Sequence, residues 1–267
     1  MITDDFLREM TAVANRLADA AAKVTLTYFR QSGDVTNKLD QGFDPVTEGD
    51  KGAEKAIRAI LDSDLPHHGI IGEEFGRKND QADLVWTLDP IDGTRAFISG
   101  LPTWGTLIAL SYKGVPILGV IDQPYIKERF VGSSLGSTLN GVPITTRKCS
   151  NLSHATISTT APELFVGSER ELWESLQEKT QLTRYGLDCY AYAILSAGHI
   201  DVVMETGLQI YDMAALIPVI RGAGGVATNW SGSEAGENCN SEQENGRLLA
   251  YGDPALKTEL LTLTKGY

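Results

Sequence analysis

The sequence is poor in cysteine and in basic residues, and both shortages limit what the chain can do. Three cysteines stand among 267 residues, Cys149, Cys189 and Cys239, and no CxxC pair occurs. Neither a disulfide framework nor a zinc or redox motif is therefore indicated. Lys and Arg number 23 against 35 Asp and Glu, a formal net charge of -12. A nucleic-acid-binding protein needs a basic face to meet phosphates, so the charge argues against that class.

Long apolar runs are missing as well. No stretch approaches the roughly 20 apolar residues that span a bilayer, which argues against a membrane partner. The first ten residues, MITDDFLREM, are acidic and amphipathic rather than basic and then apolar, unlike a secretory signal. The cysteines then read as thiols in a reducing compartment, and a cytoplasmic location is expected.

What the sequence does contain is hydrophobic periodicity of both kinds. Helical spacing predicts a first helix after Thr3, a second at about 50–61, and later helices near 168–178, 189–198, 212–222 and 254–264. Short apolar runs that end in acids, and hairpin signals from Trp104 onward, predict strands between them. With no clear linker, we expect one compact unit of two subdomains. Residues 1–142 form an α+β part with most candidate ligands, and residues 143–267 form an α/β part with Asp212 and the substrate-selecting residues.

Acidic residues cluster at the ends of four predicted elements: DPVTEGD (44–50), GEE (72–74), DPIDGT (89–94) and QIYDMAA (209–215). Any one cluster alone is more often a helix cap or a solvated group. Mg²⁺, however, prefers hard oxygen ligands. Carboxylates shared between two ions about 4 Å apart are the usual arrangement for hydrolysing phosphate esters. Together the four clusters favour a site for hard cations and phosphate.

The DPIDGT segment suits that chemistry best. Asp89 at the end of a strand can bridge two ions, the Ile91 carbonyl can serve as a neutral ligand, and Asp92 can reach the second ion. Gly93 and Thr94 would open a helix whose free amides bind phosphate. The Thr94 hydroxyl could also orient an attacking water. A simple turn would not require all of these together.

The order D-P-V-T-x-x-D, G-E-E, W-x-x-D-P-I-D-G-T and then a distant Asp before small residues and GAGG resembles the inositol monophosphatase family over nearly the whole chain. The resemblance implies an α/β fold, the layered αβαβα sandwich of the inositol monophosphatase and fructose-1,6-bisphosphatase type. It also implies a lithium-sensitive, Mg²⁺-dependent phosphomonoesterase with two or three ions per site, often a homodimer, acting on a small-molecule phosphate ester.

Carried over by position, the resemblance implies metal ligands at Glu73, Asp89, the Ile91 carbonyl, Asp92 and Asp212. Asp50 would belong to an outer acidic cluster that helps hold the nucleophilic water. Gly93 and Thr94 would contact phosphate, and Thr94 with Glu73 would orient that water. Glu205 lies where the family contacts its substrate's hydroxyl groups.

Three segments depart from the inositol-specific pattern: Arg95-Ala96-Phe97 after DGT, the run ISGLPTWGTLIAL, and YGLDCYAYAIL in place of small residues. These variants resemble the histidinol-phosphate phosphatase branch of the family. Asp188 and Tyr190 would then replace small groups that face the substrate. The ammonium and imidazole of histidinol phosphate would gain charge-assisted hydrogen bonds from Asp188 and Glu205.

Some alternatives stay open at this point. Asp188 could cap the helix near residue 189, with or without a substrate contact, and Arg95 could touch phosphate or lie on the surface. The resemblance implies hydrolysis of histidinol phosphate by water activated at the ions, with no covalent enzyme intermediate. An inositol-1-phosphate phosphatase, or a broader sugar-phosphate and nucleotide phosphatase, is the alternative. A non-catalytic module that binds metal and phosphate has less support.

Overall fold

The computed structural model describes residues 2–31, 35–37, 45–235 and 246–267, and within them helices alternate with strands. The helices there are α1 (Asp4–Tyr28), α2 (Glu48–Asp64), α3 (Thr94–Ile98), α4 (Ser168–Lys179), α5 (Cys189–Ser196), α6 (Ile210–Met213), α7 (Leu216–Gly222) and α8 (Lys257–Leu263). None of these helices combines the length and apolar composition that crossing a membrane requires. Two residues named above, Asp44 and Cys239, lie outside the described residues.

The strands form two main sheets. They are β1 (Val35–Asn37), β2 (Pro45–Thr47), β3 (Gly69–Gly72), β4 (Gly76–Lys78), β5 (Leu84–Asp92), β6 (Gly105–Tyr112), β7 (Val115–Gln123), β8 (Glu128–Ser133), β9 (Gly136–Leu139), β10 (Val142–Ile144), β11 (Thr156–Ser158), β12 (Leu182–Arg184), β13 (Val202–Glu205), β14 (Val226–Thr228) and β15 (Leu248–Tyr251). The larger sheet has the order β10-β9-β8-β7-β6-β5-β3-β4, and the smaller has β12-β11-β13-β15-β14. A separate pair joins β1 to β2.

Alternation along the strands divides the buried side chains among three layers of helices. In β6, Ile108 and Leu110 pack against α1 and α2, whereas Leu107 and Ala109 pack against α5 and α7. Successive side chains of a strand point to opposite faces, so the larger sheet is covered on both sides. Its outer face rests on α1 and α2.

The smaller sheet repeats this arrangement. In β13, Val203 packs toward α5 and α7, while Val202 and Met204 pack with α4 and α8. The helices α5 and α7 therefore lie between the two sheets, in keeping with their almost wholly apolar sequences. The layers run helix, sheet, helix, sheet, helix, which confirms the predicted αβαβα sandwich. The expected subdomain boundary at residues 142 and 143 falls within β10, and that division stays a prediction.

One predicted helix is two helices in the structure. The range 212–222 contains the end of α6 and all of α7, with Ala214 and Ala215 between them. Pro218 has no backbone N–H to donate to the carbonyl four residues earlier, that of Ala214, so continuous helical bonding is broken there. Elsewhere the expected helices near 168–178 and 189–198 match α4 and α5 closely.

The central helical layer approaches the larger sheet so closely that one strand residue must lack a side chain. A Cβ on Gly119 in β7 would lie 2.0 Å from the Ala215 carbonyl oxygen at the start of α7. Gly119 pairs with Ala109 of β6 on one side and Gly132 of β8 on the other, so the strand cannot shift away.

Gly119→Ala should therefore destabilise the fold, by about 1–3 kcal/mol in the free energy of unfolding, the usual cost of overpacking. Urea unfolding followed by circular dichroism measures it. Val142→Ala is the control, because Val142 is 65% exposed on the edge strand β10, and should change stability by less than about 0.5 kcal/mol. Equal stabilities for the two variants would contradict the close packing of α7 on β7.

Candidate active site

A β-bulge at the end of β5 brings two carboxylates to the same place. Asp89 pairs with Leu107 and Asp92 pairs with Gly105, so three steps along β5 match two steps along β6. In a regular strand, residues three apart point to opposite faces. The extra residue re-aims the strand end. Asp89 and Asp92 can therefore face one site, although their spacing in a regular strand would separate them.

Asp212 completes a cluster of three carboxylates. One oxygen from each of Asp89, Asp92 and Asp212 lies within 4.8 Å of the others. Asp212 comes from α6, where its Oδ2 accepts a hydrogen bond from the Gln209 backbone N–H at 2.6 Å. This bond is half of a capping box, which fixes the carboxylate at the beginning of the helix.

The segment between Asp89 and Thr94 is held by its own side chains and by one from β6. The Ile91 backbone N–H donates to Asp89 Oδ1 at 3.1 Å, and the Thr94 hydroxyl donates to the Ile91 carbonyl at 3.0 Å. Thr106 in β6 donates to the Pro90 carbonyl at 2.8 Å. Gly93 then turns the chain into α3 with φ of 79°, a left-handed conformation that favours glycine.

Asp92 is also bonded to the central helical layer. The backbone N–H of Cys189, the first residue of α5, donates to Asp92 Oδ2 at 2.7 Å. The first backbone N–H groups of a helix have no acceptor within the helix. Asp92, at the end of β5, accepts a hydrogen bond from one of them. Burial also raises the pKa of the Cys189 thiol well above its usual range.

Glu73 and Asp50 approach the cluster from neighbouring elements. Glu73 follows β3, which runs parallel to β5, and its backbone N–H donates to the Leu88 carbonyl at 3.2 Å, one residue before Asp89. Asp50 lies in the first turn of α2. Its Oδ2 accepts from the Thr47 backbone N–H at 2.8 Å and from the Thr47 hydroxyl at 2.6 Å.

The carboxylates repel one another in a largely buried site. Burial, followed by the charge of Glu73, raises the pKa of Asp89 well above its usual range. Burial, followed by Asp212, raises the pKa of Asp92 to about 7. Burial raises the pKa of Asp50 to about 6, with Glu74 and Glu73 adding to it. Several hard oxygens at this spacing fit a divalent cation, which would relieve the repulsion.

A cleft of about 320 Å³ opens beside the cluster. It brings together candidate residues from several segments; its lining includes Asp92, Gly93, Thr94, Arg95, Asp188, Glu205 and Asp212. Two depressions elsewhere are larger, about 630 and 660 Å³, but none of these seven residues lines either of them. Chemistry rather than size therefore identifies the candidate site.

Glu205 and Asp188 bring two further acids to this cleft. Glu205, at the end of β13, is buried and accepts hydrogen bonds from the Thr160 backbone N–H and the Thr159 hydroxyl. Burial raises its pKa to about 8. Asp188 has a pKa raised to about 7 by burial and then by Asp92, while Arg95 acts in the opposite direction.

Asp188 does not cap α5 by a side-chain hydrogen bond, although it stands at the N-cap position. Its backbone has φ of 47°, a conformation rare for residues other than glycine. Its side chain packs instead against Gly93, where an added Cβ would lie 3.0 Å from the Asp188 carboxylate. The capping alternative is therefore wrong, and the carboxylate is directed to the cleft.

The tyrosine of α5 that lines the cleft is Tyr192, whereas the sequence suggested Tyr190. Tyr190 is not among the described residues that line the cleft, and its hydroxyl donates to Glu128 Oε2 at 2.6 Å. Tyr192 lines the cleft, is buried, and has a hydroxyl without a hydrogen-bond partner in the described ranges. Residues two apart on a helix point to nearly opposite sides. Only the rotation of α5 about its own axis, which the sequence does not show, decides which of the two tyrosines faces the cleft.

Comparisons with known proteins agree with this geometry. A model of the inositol monophosphatase family matches residues 7–265. The chloroplastic bifunctional phosphatase IMPL2 of Arabidopsis thaliana is 49% identical, over 97% of this chain and 76% of that protein. A histidinol-phosphatase of Chlorobaculum parvum is 34% identical, over 84% and 86%. A solved inositol monophosphatase from Zymomonas mobilis has a TM-score of 0.86 and 41% identity, and covers 97% of this chain and 98% of its own.

The resemblance drawn from the four acidic motifs is thereby confirmed. The match spans almost all of the chain, and the layered fold is the one found in the relative of known structure. The chain belongs to the inositol monophosphatase family of metal-dependent phosphatases, which typically use Mg²⁺.

Proposed function

We propose that the protein hydrolyses histidinol phosphate to histidinol and inorganic phosphate, with Mg²⁺ at the carboxylate cluster. The observation that carries the proposal is the position of Asp188 and Glu205, two further acids, in the same cleft as Asp92 and Asp212. One end of the cleft suits a cation and phosphate, and the additional acids suit a substrate whose other end is cationic.

The metal end would use the donors of the β5 bulge and its neighbours. Glu73, Asp89, Asp92, Asp212 and the Ile91 carbonyl would hold two or three ions, and Asp50 would serve the outer one. Mg²⁺ bound there would draw charge from the phosphate and lower the pKa of the attacking water. Support comes from the spacing and the raised pKa values of Asp89 and Asp92, which a cation would reverse.

The chain's own groups would position water and phosphate. Thr94 and Glu73 would orient the water, and the backbone at Gly93 and Thr94 would contact the phosphate. Cys189 lines the cleft, but burial raises the pKa of its thiol, which favours the protonated form, a poor nucleophile. This supports direct attack by water, without a covalent enzyme intermediate.

The substrate end would select for positive charge. Histidinol phosphate carries an ammonium and an imidazole, and a cation nearby would favour the ionised forms of Asp188 and Glu205 despite their raised pKa values. Arg95 is exposed, lines the cleft and faces the charge of Asp188, so it would reach the phosphate side. The histidinol-phosphatase among the relatives supports the same substrate.

A second candidate is hydrolysis of inositol-1-phosphate or of a wider range of sugar phosphates and nucleotides. The relative from Zymomonas mobilis described as an inositol monophosphatase favours it, and Glu205 could accept hydrogen bonds from ring hydroxyls. A non-catalytic binding module would have little use for the water-orienting Thr94. The homodimer, the cytoplasmic location and lithium sensitivity stay predictions from the sequence.

Phosphate release from histidinol phosphate, inositol-1-phosphate and an adenosine bisphosphate, with and without Mg²⁺, tests the proposal. We expect Mg²⁺-dependent hydrolysis with kcat/KM at least a hundredfold higher for histidinol phosphate, about 2.7 kcal/mol in transition-state stabilisation. A flat profile or an inositol preference would instead favour the second candidate. Release of phosphate from none of the three substrates in saturating Mg²⁺ would support the binding module.

Asp89→Asn should lower kcat/KM at least a hundredfold in saturating Mg²⁺, because a carboxylate that serves two ions loses both its charge and one ligand oxygen. The matched control is Asp83→Asn, just before the other end of β5, where the carboxylate is 69% exposed and 3.9 Å from Lys113. That control should behave as wild type. Near wild-type turnover in the Asp89 variant would mean that the ligand assignment is wrong.

Asp188→Ala should lower kcat/KM for histidinol phosphate at least tenfold, because a charge-assisted hydrogen bond of about 1.5–3 kcal/mol is lost. Inositol-1-phosphate, which offers only neutral hydroxyls there, should lose less than threefold. Tyr190→Phe is the control, since its hydroxyl bonds to Glu128 outside the cleft, and should change neither rate. Equal losses on both substrates would remove Asp188 from the specificity argument, and a selective loss in Tyr190→Phe would restore Tyr190 as a substrate contact.

A further inference from the structure

Glu54 is a buried carboxylate that lies outside the proposed ligand set and bonds to the segment that carries Glu73. It belongs to α2 and is 0% exposed. Its Oε2 accepts from the Glu74 backbone N–H at 2.8 Å, and its Oε1 accepts from the Phe75 backbone N–H at 3.2 Å. Two consecutive amides after Glu73 therefore converge on one charged acceptor.

Arg58, one helical turn further along α2, completes this contact. Its Nε donates to Glu54 Oε1 at 2.7 Å, and its guanidinium also donates to the Gly76 carbonyl. A buried carboxylate is costly unless it is paired and hydrogen-bonded. Both conditions are met here, because the Glu54 carboxylate bonds to Arg58 on α2 and to two backbone amides of the turn 74–76.

The contact leaves no room for a side chain at the residue before Glu73. A Cβ on Gly72 would lie 1.9 Å from Glu54 Oε1. Gly72 is also paired with Leu88 of β5, and the Glu73 backbone N–H donates to the Leu88 carbonyl. The backbone of Glu73 is thus fixed by β5 on one side and by Glu54 on the other.

The face of α2 that holds this turn also carries Asp50. Asp50 and Glu54 are four residues apart, so they lie one above the other on the same face of the helix. The charges of Glu74 and Glu73 both contribute to the raised pKa of Asp50, so the turn lies within electrostatic range of that carboxylate. One helix face therefore presents a carboxylate to the site and holds another carboxylate's backbone in place.

We propose that Glu54 is a positioning residue of the metal site. By holding the turn 73–76 it sets where the Glu73 carboxylate lies relative to Asp89, and hence how tightly the site binds divalent cations. The inference rests on the proposed metal site. Residues that orient metal ligands typically change metal affinity by about 10- to 100-fold when they are replaced.

Glu54→Gln tests the proposal. The amide keeps one acceptor oxygen, but its NH₂ group cannot accept from a backbone N–H, and the charge opposite Arg58 is lost. Titration calorimetry with Mg²⁺ should show a Kd at least tenfold weaker than that of the wild type. The Mg²⁺ concentration for half-maximal activity should rise by the same factor, with kcat at saturating Mg²⁺ changed less than threefold.

The matched control is Asp62→Asn. Asp62 also lies on α2 and bonds to Lys78, at the end of β4, at 2.6 Å. Both side chains are half exposed, and Lys78 lies beyond the turn 73–76. We expect wild-type Mg²⁺ affinity for this variant. A loss in the control equal to that in Glu54→Gln would reduce Glu54 to general support of the α2–β4 contact and overturn the proposal.

Two more variants separate the possible failures. Arg58→Lys keeps the positive charge but loses the guanidinium that bonds to both Glu54 and the Gly76 carbonyl. It should also weaken Mg²⁺ binding. It provides the test if Glu54→Gln does not fold. Wild-type Mg²⁺ affinity in whichever of the two folds would overturn the role of Glu54. Wild-type affinity in Asp89→Asn, measured in parallel, would instead show that the proposed metal site itself is wrong.

Discussion

The repulsion among buried carboxylates at the end of β5 is the constraint on which the rest of the site depends. Asp89, Asp92 and Asp212 lie within 4.8 Å of one another, and burial with mutual charge raises the pKa values of Asp89 and Asp92. Such a cluster persists only where the surrounding backbone holds it. Each of these carboxylates accordingly accepts a hydrogen bond from a backbone N–H. The donors are Ile91 for Asp89, Cys189 for Asp92 and Gln209 for Asp212. The bulge, the start of α5 and the capping box of α6 all serve this one task.

The layered fold explains how segments far apart in sequence supply one cleft. β5 delivers Asp89 and Asp92 from the larger sheet, β13 delivers Glu205 from the smaller sheet, and the central layer of α5 and α7 lies between the two. Because α5 packs against both sheets, the residue at its N-cap, Asp188, reaches the cleft from the side of Gly93. The carboxylate cluster and the two further acids, Asp188 and Glu205, therefore reach the cleft from different layers.

Local signals predicted the family motifs and the helices well, because spacing, caps and periodicity depend on residues close together in the sequence. The structure extends the second helix to Glu48–Asp64 from the expected 50–61, since Thr47 rather than a later residue provides the cap. The sequence could not show which face of a helix points to the cleft, or which side chains are buried by segments far away along the chain. Tyr192 rather than Tyr190 lines the cleft, and Glu54 would pass for a solvated acid in mid-helix. Its burial depends on a turn twenty residues away.

The hydrogen bond between Asp92 and the first amide of α5 connects the carboxylate cluster to Asp188. Asp92 belongs to the carboxylate cluster, and the backbone N–H that donates to it belongs to Cys189, the residue after Asp188. Charge withdrawn from Asp92 weakens that bond, and any movement of the start of α5 moves Asp188 with it. If divalent cations bind at Asp92 as proposed, binding at the cluster and binding beside Asp188 would be linked. A cation that changed the affinity for substrate by some factor would have its own affinity changed by substrate by the same factor.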